Sequence, residues 1–466
     1  MAIEITSSRI LKPCTTPPHP LTNTLVPLTV FDLAAMDLHV ATVHAYRAPM
    51  PENLEIIEGL CRVLAYFPHL AGRLTVDDSG QPCILLNNAG VRVVEARVGA
   101  TLAEKMPLEG TTNTTELHPS VEGLCLVMKS LYATDSGTNI GWCAMTLPLQ
   151  VIEETIAPSA IKTIQLWWSR IGFTWPSMRK CRMAISLSQF LASWAEMVRN
   201  PSTTTVPSPY LDRSTFSIPR NPPHSDFNHL DIEFKQSSDS SDPKKPIKGP
   251  VTNFVAHFSA KFIAELKSKV PGRRSTFECL LAHLWRKITV ARGLHEDEIT
   301  SVRIAVNGRA RMRPAVPMNF FGNMVLWAHP KAQAGDLVRL DHVHAVTVIR
   351  DAVSGTNDEY FKSFVDFGEI MKREGGHEGG HKLVGSAPES GSALCPNLEV
   401  DSWLRFNFHE LDFGSGGPCA FLPPNLPVEG LMVFVPSYKE TGGVDVYLAL
   451  LEEHVEVFRR ICYCLD

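Results

Sequence analysis

Apolar side chains recur at helical intervals between Asn53 and Phe67, where Leu54, Ile57, Leu60 and Leu64 lie three or four positions apart. This spacing predicts an amphipathic helix, and Pro68 stops it because proline offers no amide and clashes with the preceding turn. Leu187 to Val198 repeats the pattern with Leu187, Phe190, Leu191, Trp194 and Met197 on one face. Strand-like runs precede and separate these helices. Residues 3–9 alternate, and Leu25 to Val30 leads into a turn at Phe31-Asp32-Leu33. Gly72 to Val76, Pro82 to Leu86 and Val91 to Ala96 form a short series punctuated by Asn87-Asn88-Ala89-Gly90, and Leu124 to Tyr132 and Asn139 to Met145 read as core strands.

The pattern then breaks. Asn200 to Pro250 is dense in Ser, Pro, Asp and Thr and reads as a crossover linker. After it the alternation restarts: strand at Val251 to Phe258, helices at Ala260 to Val270 and Thr276 to Arg292, strand at Ser301 to Val306. Strands at Val433 to Pro436 and Val444 to Ala449 and a closing helix at Leu450 to Cys462 complete the chain. Mixed strands and helices in both halves predict an α/β protein of two similar-sized domains, residues 1–199 and 251–466, joined by residues 200–250.

Composition narrows the class. The 466 residues are 44% hydrophobic and 20% charged, a globular balance, and the net charge of −5 is too mild to suggest a nucleic-acid partner. No apolar run approaches the ~20 residues of a membrane span, and no signal-peptide core opens the chain, so a cytoplasmic, monomeric protein is expected. Eleven cysteines are scattered singly apart from Cys462 and Cys464. With no C-x-x-C pair a zinc site has no sequence support, and the odd count without regular spacing suits a reducing compartment. His377 and His381 lie in a Gly-rich frame that suits a loop better than a metal site.

Four motifs carry a resemblance. Tyr66-Phe-Pro-His-Leu-Ala-Gly-Arg-Leu74 follows the first helix. Ser275-Thr-Phe-Glu-Cys-Leu-Leu-Ala-His-Leu-Trp285 opens a helix of the second half. Asn307-Gly-Arg-Ala-Arg-Met312 precedes Pro314, Pro317 and Gly322-Asn323, and Asp412-Phe-Gly-Ser-Gly416 comes near the end. In this order and spacing they resemble the plant BAHD acyl-CoA-dependent acyltransferases. The Glu4-Ile-Thr-Ser-Ser opening and Pro418-Cys-Ala-Phe-Leu-Pro-Pro424 resemble the branch that acylates amines. The resemblance implies a chloramphenicol acetyltransferase-like fold, acyl-CoA as co-substrate rather than a bound cofactor, no metal, and an amine acceptor such as putrescine, agmatine or tryptamine. Ester-forming transfer is a second possibility within the class, and a relative that binds CoA esters or a partner without turnover is a third.

The family's chemistry needs a base for the attacking nucleophile, supplied by the His of a His-x-x-x-Asp-Gly motif ahead of a helix with Ser, Phe and Trp-Ala at fixed spacing. That helix is present here as Ser186, Phe190, Trp194 and Ala195, but the motif positions hold Arg179 and Met183-Ala184. A guanidinium has no usable base near neutral pH. No catalytic His or Asp is therefore assigned. The segment from Cys143 to Ala184, with Trp167, Trp168 and Trp175, looks foreign to the family and is expected to protrude or be disordered, as a retained intron or shifted frame would be. If the Arg182 codon ends in G, reading one base earlier turns Met183-Ala184 into Asp-Gly, but the same shift cannot restore a His at 179.

The remaining residues take roles from the resemblance. Asp412, Phe413, Gly414 and Gly416 form a structural box, with Asp412 expected to pair with Arg309. Trp403 and Arg405 would line the acceptor side of an interdomain channel and contact substrate, or equally would be ordinary strand packing. Ser275 and Thr276 would contact CoA or, more simply, cap the helix they open. His69 and His283 read as packing histidines.

Overall fold

The computed structural model describes residues 3–14, 19–34, 40–47, 49–98, 127–133, 141–147, 184–203, 205–230, 232–236, 249–374, 383–385, 391–422 and 426–465. The chain divides into two compact units. One comprises Met1–Arg213, Asn319–Gly322 and Phe406–Asn425, the other Ser214–Met318, Asn323–Arg405 and Leu426–Asp466.

The first unit is built on a six-stranded sheet. In chain order its strands are β1 (Ile3–Leu11), β3 (Val40–Ala45), β6 (Val91–Val98), β7 (Val127–Ala133), β8 (Gly141–Leu147) and β16 (Ala420–Leu422), arranged β1-β6-β7-β8-β3-β16. Only β6 and β7 run parallel; the other neighbours are antiparallel. A small sheet of β2 (Leu25–Pro27), β4 (Arg73–Val76) and β5 (Pro82–Leu85) accompanies it. Helix α1 (Val30–Ala34) replaces the turn expected at Phe31–Leu33. It starts there because Thr29 and Asp32 cap one another: the Thr29 amide and hydroxyl donate to Asp32 Oδ2 at 3.0 and 2.8 Å, and the Asp32 amide donates to Thr29 Oγ1 at 3.2 Å.

Helices α2 (Asn53–Leu64) and α3 (Ala184–Arg199) pack together where Gly59 leaves room: a Cβ on it would stand 2.4 Å from a Val198 methyl. The buried face of α2 is Ile56, Ile57, Leu60, Val63 and Leu64, whereas Leu54, assigned to that face from its spacing, is 60% exposed in the first turn. On α3 the expected face holds, with Leu187, Phe190, Leu191, Trp194 and Met197 all buried. Arg62 ties the two helices by donating to the carbonyls of Met197 and Pro201. Against the reading of singly scattered thiols, Cys14 and Cys61 are joined by a disulfide that fastens the segment after β1 to α2. Their separation of 47 residues hides that proximity in the sequence.

The second unit carries a seven-stranded sheet. Along the chain its strands are β10 (Val251–Phe258), β11 (Ile299–Asn307), β12 (Val325–Ala328), β13 (Lys331–Gln333), β15 (Leu398–Ser402), β17 (Leu431–Pro436) and β18 (Val444–Leu451). The order is β10-β18-β17-β15-β11-β12, with β13 also on β11. A separate antiparallel ribbon joins β9 (Phe234–Gln236) to β14 (Leu383–Gly385). Helices α4 (Ala260–Ser268), α5 (Thr276–Ala291) and α9 (Glu452–Ile461) match the predicted ones within a few residues. Helices α6 (Ala334–Arg339), α7 (His342–Gly355) and α8 (Asp358–Glu374) stand where the apolar pattern gave no assignment. Helix α5 is buried nearly all round, as a helix in the middle of a core must be.

Residues 200–250 do not behave as one linker. The unit boundary falls between Arg213 and Ser214. Beyond it, His229 and Glu233 are wholly buried in the second unit. His229 Nε2 lies 3.0 Å from Ser363 Oγ, and the Glu233 carboxylate accepts from the Trp327 amide at 3.1 Å and the Tyr360 hydroxyl at 3.3 Å. A polar-rich sequence thus becomes packed structure because its polar groups find buried partners. Phe406–Asn425, read as part of the second domain, belongs to the first unit because β16 pairs with β3.

Candidate active site

The positions where the acyltransferase motif would lie, Arg179 and Met183, and the rest of 148–183 fall outside the described residues, as do His377 and His381. Helix α3, immediately C-terminal to the motif positions, is anchored by Ser186, whose hydroxyl accepts from the Gly322 amide and donates to the Phe320 carbonyl, both at 3.3 Å. Trp194 donates its indole N–H to the Ile56 carbonyl at 2.9 Å. Arg213, also buried, pairs with Asp32 and donates to the Phe321 carbonyl at 3.2 Å.

The Asp412 box closes on itself. One Asp412 oxygen accepts the amides of Gly414 and Gly416 at 2.7 and 2.8 Å, and the other lies 3.9 Å from the Arg199 guanidinium. Gly414 and Gly416 stand at φ +119° and +91°, where side chains other than hydrogen are strained. Phe413 is edge-on to Trp194 at 4.9 Å and to Tyr46 at 5.6 Å. The box is therefore a turn that seats an aromatic ring against α3. Arg309, the partner expected for Asp412, belongs to the other unit. Arg309 is buried in the second unit, where its backbone N–H and guanidinium both donate to Asn307 Oδ1 at 3.1 and 3.2 Å. The Asp412 carboxylate is served locally by two amides two and four residues away, which cost no long-range closure.

Ser275 is the N-cap of α5: its hydroxyl accepts from the Glu278 amide at 3.1 Å, and the Glu278 carboxylate accepts from the Ser275 amide at 2.9 Å. This is a capping box, and Thr276 is its first helical residue. Trp403 is buried, with its amide donating to the Phe434 carbonyl at 2.8 Å, and Arg405 is exposed. His283 is a core histidine, its Nε2 2.6 Å from the Cys462 carbonyl.

Two buried imidazoles in the first unit spend no hydrogen bonds. His44, on β3, and His69, in the turn after α2, have no partner at either ring nitrogen among the described residues. Burial holds the pKa of each down to about 3, with the charges of Arg213 and His19 adding to the effect at His69. Both are neutral at pH 7, and both are too weakly basic to substitute for a general base tuned near that pH. His69 carries the packing role read from the sequence, 5.9 Å from the Phe321 ring. His44 has no local signal in the sequence, because the residues that make it unusual, Phe408 and Phe421, lie far along the chain.

Comparison with known proteins places this architecture. The crystal structure of vinorine synthase superposes with a TM-score of 0.66 at 19% identity, covering 98% of this chain and 96% of its own. TRI101 of F. sporotrichioides, complexed with coenzyme A and T-2, gives 0.65 at 15% identity over 94% and 97%. The class is thus the two-unit mixed α/β fold of these proteins. A model of the Transferase family matches residues 1–123 and 182–464, and the chain belongs to that family, the BAHD acyltransferases of the sequence resemblance. Residues 124–181, left unmatched, contain most of the segment that reads as foreign. Tryptamine hydroxycinnamoyltransferase 2 of Oryza sativa subsp. japonica is 43% identical over all of both chains. Tryptamine benzoyltransferase 1 of the same species is 41% identical over 100% of this chain and 98% of its own, and agmatine coumaroyltransferase-1 of Hordeum vulgare is 38% identical over all of both.

Proposed function

We propose that this chain transfers an aromatic acyl group, hydroxycinnamoyl or benzoyl, from a CoA thioester to the nitrogen of an amine, as a cytoplasmic monomer. The observation that carries this reading is the full-length 43% identity to a rice tryptamine hydroxycinnamoyltransferase. The amine attacks the thioester carbonyl, the tetrahedral oxyanion collapses, the CoA thiolate leaves, and the ammonium proton is lost to a base or to solvent. A thioester carbonyl is reactive enough that no metal is needed.

One observation favours a second reading, a relative that binds CoA esters without turnover: Arg179 and Met183 occupy the positions of the missing His and Asp. The two readings separate on one assay. The purified chain is mixed with coumaroyl-CoA or benzoyl-CoA and putrescine, agmatine or tryptamine, and free thiol is followed. Loss of a general base costs ~10²–10⁴-fold. Thiol release well above a buffer control supports transfer; none, with acyl-CoA still bound, supports the inactive reading.

A further inference from the structure

Among the described residues, strand β1 is an outer strand of the six-stranded sheet, paired with β6 alone. Little apolar surface holds it there. Ile5 and Ile10 are 63% and 48% exposed, and of residues 4–10 only Ser7 is half-buried. Past Leu11 the chain runs to Cys14, where the disulfide to Cys61 fastens it to α2. The Cys14 amide also donates to the Cys61 carbonyl at 2.9 Å, so the two backbones meet without help from sulfur. A cross-link between residues 47 positions apart restrains the opened chain far more than that one hydrogen bond does.

The bond is placed for exchange with solution. Cys14 is exposed and Cys61 half-buried, so a dissolved thiolate reaches the Cys14 sulfur. Cys83, Cys279 and Cys462 are buried free thiols instead, and burial is the main cause that raises the pKa of each, which leaves them inert. Cys61 Sγ lies 3.0 Å from the Lys12 carbonyl oxygen, an acceptor for its S–H once the bond is open. Nor does α2 depend on sulfur for its seat on α3. Arg62, the next residue, donates to the Met197 and Pro201 carbonyls, and Trp194 donates to the Ile56 carbonyl. Opening the disulfide therefore frees the end of β1 and leaves the helix pair closed.

We propose that Cys14 and Cys61 form a site of reversible thiol–disulfide exchange with a dithiol reductant, latching β1 to α2 only in the oxidised chain. One thiolate of the reductant attacks Cys14 Sγ. The Cys14–Cys61 bond breaks, its electron pair stays on Cys61 Sγ, and that sulfur takes a proton. The second thiolate then attacks the reductant's own sulfur in the mixed disulfide. Cys14 leaves and takes a proton, and the reductant departs as an internal disulfide. Two electrons and two protons pass to the chain. The backbone contact keeps the two thiols close, so an oxidised dithiol can re-form the bond. The exchange is independent of whether the chain turns over acyl-CoA.

The folded full chain is equilibrated over a series of reduced-to-oxidised dithiothreitol ratios. At each ratio free thiols are trapped with a maleimide and mapped by mass, and amide hydrogen exchange is followed in the same samples. Cys14 and Cys61 are expected to convert together, from either direction, while the chain stays folded. Amides of residues 3–14 are expected to exchange about tenfold or more faster in the reduced chain, and those of residues 184–199 to stay within about twofold. Cys14→Ser is expected to hold residues 3–14 at the fast rate at every ratio. A pair that stays oxidised until the chain unfolds, or that persists as thiols at the most oxidising ratio, would overturn the assignment. So would equal exchange of residues 3–14 in both states, equal loosening of residues 184–199, or a redox response of residues 3–14 that survives in folded Cys14→Ser. The wild-type series needs no variant, so a misfolded Cys14→Ser leaves the test standing.

Discussion

At the residue scale, the most consequential single pair outside the site is Arg292 with Glu429. Both side chains are all but inaccessible, and the guanidinium donates to one Glu429 oxygen from Nε and from a terminal nitrogen, at 3.0 and 2.6 Å. Its other terminal nitrogen donates to the carbonyls of Pro396 and Asn397, and the second Glu429 oxygen accepts the Cys395 amide. Gly430, at φ +89°, keeps a side chain from pressing on the guanidinium, since a Cβ there would lie 2.9 Å from it. Desolvating two charges offsets much of their attraction, but removing one leaves the other buried and alone. Arg292→Met is therefore expected to cost about 3–5 kcal/mol, and Arg292→Met with Glu429→Leu distinctly less than the sum of the two singles. Denaturant melts of the four proteins would check this, and strict additivity would show the pair is not coupled. Neither residue stands out in the sequence: charged residues are common, and only the folded chain brings these two together.

At the element scale, helix boundaries were the legible part. Ser275 and Glu278 three positions apart are a capping signature written in the sequence, and the structure shows both of its hydrogen bonds. Ser275→Ala is expected to lower stability by about 1 kcal/mol and Ser275→Gly by only a few tenths. If capping is the whole role, the affinity for acyl-CoA stays within about twofold in both variants, and a larger change at unaltered stability would restore the CoA contact considered from the resemblance. Legibility failed where an element's partner was distant. The short strand β16 depends on β3 offering an edge far back along the chain, which no local pattern reveals; α1, by contrast, rests on a cap between Thr29 and Asp32 three residues apart, a local signal that the reading of a turn missed. Leu54 failed differently: its spacing suited the apolar face, but the first turn of α2 begins before the core does.

At the scale of the whole molecule, buried imidazoles set an acid response. His44 and His69 are held to about 3 by burial, whereas an unfolded chain would protonate them near 6.5. Between those values the unfolded state binds more protons than the folded one, so stability rises with pH and falls as the solution is acidified. Each group contributes up to about 1.4 kcal/mol per pH unit well inside that window. Unfolding free energy measured from pH 7 to pH 4 should fall, with a shallower slope in His44→Gln. An unchanged slope would mean the ring is not buried neutral.

The sequence by itself determined the family, the α/β class and the placement of most helices and core strands, since each is a matter of residue identity, local period or ordered motif. Tertiary structure alone decided which unit owns Phe406–Asn425, that Cys14 meets Cys61, that Asp412 turns to Gly414, Gly416 and Arg199, and that His44 lies buried beside Phe408 and Phe421. The physical reason is the same throughout: a period or a cap is fixed by neighbours within one or two turns of the chain, whereas a strand edge, a disulfide or an unspent buried nitrogen is fixed by residues that only folding makes neighbours.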